Sequence, residues 1–264
     1  AAGFRLVDDE GGSYDVGYVI GADGASSRMR RLLSPGLQPV QTPTRGRFVP
    51  IPRDAAPELV VRFRDGFPGY VWEFPRGQTA SIGVCHLEHG AARGELEAAL
   101  LEHLAAAGVS ADHPAYGHPI PLLRRGDHRR PGLFGGARWA LCGDAAGLVD
   151  PITGEGIHYA LRSGELAARV LLEEGTLAGY PARLAGEVLR ELRIAHQYAS
   201  RFYRAGFTRA MIEACRLSPR LRQVLANVVA GRQSYGSLRR RAIGALLRDR
   251  VGLRPTVAVL RFVF

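Results

Sequence analysis

The 264-residue chain has no lysine; all 35 of its basic side chains are arginine, which reads as a coding bias toward arginine rather than a recognition device. Cysteine is scarce. Cys85, Cys142 and Cys215 are an odd number, far apart and without a C-x-x-C pair. That excludes a disulfide framework and a thiolate zinc site, so a reducing, cytoplasmic setting is expected. No apolar run reaches the roughly 20 residues that a membrane-spanning helix needs. His86, His89, His103, His113, His118, His128 and His196 share no ligand spacing with a carboxylate cluster, so no metal site is expected. Neither a Ser-His-Asp arrangement nor a paired-carboxylate hydrolase signature occurs. Also absent is G-x-G-x-x-G, the turn that seats a dinucleotide pyrophosphate.

What is present is ordinary globular composition, 46% hydrophobic and 23% charged, which excludes disorder, collagen and coiled coil. The net charge of +10 is concentrated at one end. Residues 216–264 hold eleven arginines and one acid, Asp249, while the first 215 residues are balanced. Nucleic acid is not the expected partner of this tail, because its aromatics do not interleave with its arginines in a stacking pattern.

Along the chain, Phe4 to Val7 reads as a strand, Asp8 to Asp15 as turn-rich, and Val16 to Ile20 as a strand ending in the loop Gly21-Ala22-Asp23-Gly24. Ser26 or Ser27 caps a short basic helix, Arg28 to Leu33. Residues 59–64, 69–74 and 79–87 read as an antiparallel meander, its first turn at Asp65-Gly66-Phe67-Pro68. Leu96, Leu100, Leu101 and Leu104 predict a helix over 94–107 packed on that sheet and closed by Gly108. Trp139 to Cys142 is a short strand leading into Gly143-Asp144-Ala145-Ala146-Gly147. Thr153-Gly154-Glu155-Gly156 then precedes a helix from Ile157 to Leu172. Beyond Tyr180 the pattern is helical, with breaks expected at Gly206, Pro219, Gly231, Gly236 and Pro255.

Two Gly-Asp loops, each between an apolar strand and a helix, suit a nucleotide-like cofactor; the plainer alternative is that Gly and Asp merely cap the two helices. Glycine admits close backbone approach, the carboxylate accepts from sugar-type hydroxyls, and a helix N-terminus follows. A third element lies between them. On a strand of period two, Tyr70, Trp72 and Phe74 share a face, and Gly83 and Cys85 share a face of the next strand. A bare glycine opposite large aromatics is expected to leave space for a substrate. The plainer alternative is that this face packs on the helix at 94–107.

Asp23-Gly24 with Ser27 and Arg30 resembles the D-G-x-x-S-x-x-R motif of flavin-dependent oxidoreductases with the hydroxylase-type FAD fold. Gly143 to Gly147 with Asp150-Pro151, Thr153 to Ile157, Tyr159-Ala160 and Ser163-Gly164 is similar to the geranylgeranyl reductase branch. Aromatic hydroxylases usually carry His at the position of Gly147. Tyr70-x-Trp72-x-Phe74-Pro75, seven residues, then Gly83 resembles the substrate-cavity signature of that branch, with Cys85 where the branch has a second glycine. The resemblance covers residues 16–175.

The resemblance implies an α/β plus α+β fold. An incomplete FAD-binding Rossmann-like domain, its first βαβ unit absent, would occupy 1–44 and 126–178. An antiparallel-sheet substrate domain would be inserted at 45–125, and a helical, Arg-rich region would fill 179–264. The chain opens on Ala1, without Met, and already in a strand, so an upstream nucleotide-binding half of roughly a hundred residues or more is expected. The implied activity is reduction of C=C bonds in a geranylgeranyl-type prenyl chain on a lipid, quinone or pigment precursor. FAD would be the cofactor and NADPH, NADH or ferredoxin the electron donor. Asp23, Gly24, Arg30, Gly143, Asp144, Gly154, Gly156 and Ile157 would hold the cofactor. Tyr70, Trp72, Phe74, Gly83 and Cys85 would line the substrate. No catalytic residue is assigned, with Cys85 and His158 as weak candidates.

The competing enzyme reading is a flavin monooxygenase or halogenase acting on an aromatic substrate, and the competing non-enzyme reading is a basic surface-binding protein or inactive fragment. In the tail, Leu238, Ala242, Ile243, Leu246 and Leu247 form an apolar stripe beside Arg239, Arg240, Arg241, Arg248 and Arg250. From this stripe, peripheral attachment to the anionic inner face of a membrane is expected, the alternative being a helix that docks its stripe on the main body with its arginines solvated.

Overall fold

A computed structural model describes residues 3–51, 58–64, 67–87, 93–204, 206–252 and 256–257. His89, Pro255 and the Asp65-Gly66 half of the expected turn lie outside them. The chain divides into two compact units. One is built from Ala1–Val40, Pro121–Asp150 and Glu155–Ile194, the other from Gln41–Ile120, Pro151–Gly154 and Ala195–Phe264.

The chain begins with the hairpin β1 (Phe4–Val7) and β2 (Ser13–Val16), clamped by a bidentate Arg5–Asp15 pair. Asp8 Oδ1 accepts the N–H groups of Glu10 and Gly12, which closes the turn early. The strand expected over Val16 to Ile20 is two: β2 ends at Val16 and β3 (Val19–Gly21) starts afresh after a bend at Gly17. Helix α1 (Arg28–Leu33) follows, then β4 (Val40–Thr42). The second unit's sheet comprises β5 (Thr44–Pro50), β6 (Val60–Phe63), β7 (Gly69–Arg76), β8 (Thr79–His86) and, beyond α2 (Arg93–Ala106), β9 (Ala115–Tyr116). Their order is β6-β7-β8-β5-β9, antiparallel throughout. The expected meander is present, extended by β5 and β9.

Alternation splits this sheet's faces. Val49, Val71, Ala80, Ile82 and Val84 point to α2 and are buried against Leu96, Ala99, Leu100 and Leu104. Burying each such side chain contributes about 1.5–3 kcal/mol. Leu101, expected in that stripe, is exposed instead. Ion pairs close the edges of this layer. Glu97 of α2 receives Arg45 and Arg47 of β5, each at 2.6 Å, and its carboxyl is held below the usual range chiefly by those hydrogen bonds.

In the first unit, β10 (Ile120–Leu122) leads to β11 (Gly135–Gly136) and β12 (Trp139–Leu141), and β12 runs parallel to β3 in a sheet ordered β11-β12-β3. Helix α3 (Ile157–Glu174) closes at Gly175 and buries Leu166, Ala167 and Val170 against Phe134, Leu141, Leu148 and Tyr180. The architecture is thus an incomplete Rossmann-like sheet, an inserted antiparallel sheet and a helical C-terminal region.

The helical run continues through α4 (Tyr180–Leu184), a π turn at Ala185–Leu189 and α5 (Arg190–Phe202), along which the division between units falls. Helices α6 (Phe207–Leu217), α7 (Pro219–Val229) and α8 (Tyr235–Arg248) complete the second unit. Gly236 does not break the pattern; it lies in the first turn of α8, entered from Ser234. Most of the stripe expected to meet a membrane does not face outward: Leu238, Ala242 and Leu246 are buried, Ile243 is half-buried and α8 packs on α7, while Leu247 alone of the five is exposed. Among the described residues no helix is long and apolar enough to cross a membrane.

Candidate functional site

The two Gly-Asp loops leave neighbouring parallel strands at the same end. Gly21 of β3 lies beside Leu141 of β12, and Cys142 N–H donates to Gly21 O at 2.9 Å. Carboxyl ends of parallel strands are where open α/β sheets place ligands.

The first loop spends its carboxylate on itself. Asp23 Oδ1 accepts the Ser27 hydroxyl at 2.5 Å, and Oδ2 accepts the N–H groups of Arg28 and Met29 at 2.6 and 3.0 Å. Ser27 Oγ in turn accepts Arg30 N–H at 2.8 Å, so Asp23 and Ser27 together cap α1. Partial burial pushes the Asp23 pKa up, but the Ser27 hydroxyl and the two N–H groups outweigh it and the net direction is down. Gly24 takes φ +79 in the turn before this cap. The buried guanidinium of Arg30 donates to Ala145 O and Ala25 O, both at 2.8 Å. It ties one loop to the other.

The second loop is held by α3. Ser163, fully buried, donates to Tyr159 O at 2.7 Å and accepts Gly143 N–H at 2.9 Å. Gly143 itself is left-handed, φ +55. Asp144, half-buried, accepts no hydrogen bond from the described residues through its carboxylate, and burial alone pushes its pKa up. One carboxylate oxygen lies 2.9 Å from where a Cβ on Gly156 would stand, so only a bare backbone fits beside it. Glu155 caps α3 by accepting His158 N–H at 2.7 Å, and Ile157 is 75% exposed at the helix start. The His158 ring is on the surface, edge-on to Tyr159.

In the second unit, the sheet face opposite α2 is aromatic. The register sets Tyr70 across from Cys85, Trp72 from Gly83 and Phe74 from Ser81. Helix α2 covers the other face, so the plainer packing alternative for Tyr70, Trp72 and Phe74 does not hold. The space expected above Gly83 is filled by the Trp72 indole, which lies where a Cβ would be. Trp72 Nε1–H donates to Ser81 Oγ at 2.9 Å, and Ser81 Oγ is 2.5 Å from the Tyr116 hydroxyl. Tyr116 stacks on Phe48 at 4.6 Å, and Phe63 stands edge-on to Tyr70 and to Phe202. The Tyr70 hydroxyl donates to Thr153 O. Next to it, Gly154 packs against Ile120 and Leu87.

Cys85 is completely buried on this face, its thiol pushed up to about 12 chiefly by burial. It keeps its proton and does not reach the surface. Asp23, Gly24, Arg30, Gly143, Asp144, Gly156 and Ile157 fall in one unit; Gly154, Tyr70, Trp72, Phe74, Gly83 and Cys85 fall in the other. Phe48, Phe63, Ser81 and Tyr116 were not singled out from sequence. Their signal was the alternation of Gly46 and Phe48 on β5 and of Val61 and Phe63 on β6. Among the described residues no cluster of metal-ligating side chains occurs.

A strand-end carboxylate with no hydrogen bond from the described residues, a bare glycine beside it and a helix N-terminus thus lie together in an α/β unit of the Rossmann-like class. The comparisons narrow that class. The chain is 32% identical over 203 residues to digeranylgeranylglycerophospholipid reductase 2 of Methanopyrus kandleri, covering 69% of this chain and 49% of the relative. It is 30% identical over 222 residues to menaquinone reductase of Mycolicibacterium smegmatis, covering 74% and 51%. The chain spans about half the length of these curated relatives. It is distantly related to the superfamily of geranylgeranyl reductases and FAD-dependent oxidoreductases. No family model matches. Among solved structures, the fold is shared with a geranylgeranyl bacteriochlorophyll reductase-like protein of Thermoplasma acidophilum, with TM-score 0.52 and 21% identity over 71% of this chain and 51% of that one. It is shared equally with a probable FAD-dependent monooxygenase of Pseudomonas aeruginosa, with TM-score 0.53 and 21% identity over 75% and 60%.

Proposed function

We propose that the protein reduces C=C bonds in the prenyl chain of a lipid, quinone or pigment precursor, using FAD with NADPH, NADH or ferredoxin as electron source. The observation that carries this reading is the unpartnered Asp144 carboxylate over Gly156 at the end of β12, with an aromatic sheet face elsewhere in the same chain. The two reductases named above, one acting on a geranylgeranyl lipid and one on menaquinone by their names, support an isoprenoid substrate.

The residues present fit the cofactor. Asp144 accepts from hydroxyls of a ribityl-like chain, replacing with charge-assisted bonds the water it loses on burial. Gly156 lets that chain approach, and the N-terminus of α3 favours negative charge by about 0.3–2 kcal/mol. When bound, FAD supplies the hydride. Arg30 holds the two loops in register and Ser163 fixes the second one to α3, so Asp144 is held in place before a ligand arrives. Trp72, Phe74 and Tyr70 pack on the isoprenoid chain and exclude water, each buried methylene contributing about 0.8 kcal/mol. The Trp72 indole, hydrogen-bonded over Gly83, fixes the width of that wall. Cys85 is not the proton donor in this reading, because it is buried and its thiol holds its proton far above neutral pH.

Anaerobic incubation of the protein with FAD, dithionite and a geranylgeranyl lipid tests the proposal. Mass spectrometry should show the lipid gaining hydrogen pair by pair. A product that instead gains an oxygen atom when air is admitted would overturn it in favour of a monooxygenase.

A further inference from the structure

We propose that the corner where α6 ends, α7 begins and α8 ends docks on an anionic phospholipid bilayer. Ser218, fully buried between α6 and α7, donates to Asp249 Oδ2 at 2.6 Å, and the Arg220 N–H donates to the same oxygen at 3.1 Å. Asp249 directly follows α8, so these bonds bring three helix termini together.

The surface around that joint combines two features. Leu217, last in α6, is 52% exposed, and Leu247, near the end of α8, is 68% exposed. They are flanked in sequence by Arg216, Arg220, Arg222, Arg248 and Arg250, all exposed. Against five arginines stand Asp249, already engaged by Ser218 and Arg220, and Glu213 one turn back along α6. Helix C-termini favour cations, and Arg222 does serve one, donating to Cys215 O at 2.8 Å. That accounts for some of the charge but for neither leucine.

Arg250 adds a separate indication. It closes α8 at φ +52, with its N–H on Leu247 O and the next N–H on Leu246 O, a position glycine normally takes. The chain holds a cation there against its backbone preference.

Exposed leucines ringed by arginines match a lipid interface, where apolar tips enter the acyl boundary and guanidinium heads remain among phosphates. Nucleic acid would use the charge but not the leucines. Of the α8 stripe only Leu247 takes part, since Leu238, Ala242 and Leu246 are buried.

The test is co-sedimentation of the protein with phosphatidylcholine vesicles and with mixed phosphatidylcholine–phosphatidylglycerol vesicles. Binding should require phosphatidylglycerol and weaken with salt. At about 1 kcal/mol for each arginine near such a surface, roughly fivefold apiece, Arg216→Ala, Arg248→Ala and Arg250→Gly together should lower affinity on the order of a hundredfold. Leu217→Ser with Leu247→Ser should weaken what binding persists at high salt. Arg232→Ala with Arg240→Ala, away from the corner, should change little. Equal binding to both vesicles, or an equal loss from the distant pair, overturns the proposal. So does tighter, leucine-independent binding to a DNA or RNA oligonucleotide. Circular dichroism confirms that each variant is folded before it is scored.

Discussion

The two Gly-Asp loops use the same chemistry for opposite ends. Asp23 sits at the start of a short helix and accepts three hydrogen bonds from residues four to six positions later. Asp144 sits in an equivalent place on the neighbouring strand, is more deeply buried and accepts none from the described residues. Their pKa values move in opposite directions for that reason. Of the two carboxylates read as cofactor contacts, one caps a helix and the other accepts no hydrogen bond from the described residues.

The largest expected effect sharpens that contrast. Asp144→Asn should weaken FAD binding about ten- to a hundredfold, since a charge-assisted hydrogen bond contributes about 1.5–3 kcal/mol. Asp23→Asn should weaken it far less. Flavin fluorescence titration measures both, and equal losses would erase the distinction. Next, Gly156→Ala should imitate Asp144→Asn with the charge intact, because the new methyl displaces the carboxylate at a cost of about 1–3 kcal/mol. Smaller still, Asp23→Ala should lower stability by about 1 kcal/mol, the usual worth of a helix cap. In a domain of this size that is roughly 2–4 °C in Tm by calorimetry.

The smallest effect is one of sign. Asp23 has a lowered pKa in the fold, so its contribution is present above the unfolded carboxylate pKa and lost as pH falls through the folded one. Asp144 has a raised pKa, so its ionisation opposes folding near neutrality, and that opposition fades as pH falls toward the unfolded value. Asp144→Asn should therefore unfold at higher denaturant than wild type at neutral pH, with the gap closing in acid.

The sequence made the strand-loop-helix order of both loops legible, because glycine, aspartate and apolar runs are local signals. It also showed which residues share a face of β7 and β8, since alternation alone determines that. It did not show that Asp23 is already occupied. That depends on the cap geometry of α1, although aspartate four residues ahead of serine is a readable hint. The space expected above Gly83 was closed by Trp72 from the adjacent strand, a fact of register rather than composition. Likewise the α8 stripe was correctly seen as apolar. Whether it would meet a membrane or dock on the body was not legible, because that depends on how α7 packs against it; in the fold Leu238, Ala242 and Leu246 are buried and Leu247 is exposed.

Ser163 is a mechanical coupling. Its one oxygen joins the interior of α3 to the backbone of the loop that presents Asp144, at a point with no exposed surface at all. The long helix and the loop therefore cannot slip past each other without breaking a buried bond. The position of the acceptor is thus set along the body of α3 as well as at its tip. A threonine there would force an extra methyl into a filled interior and shift the loop, whereas an alanine would release it. The tolerance of the loop is set by a side chain enclosed in the interior.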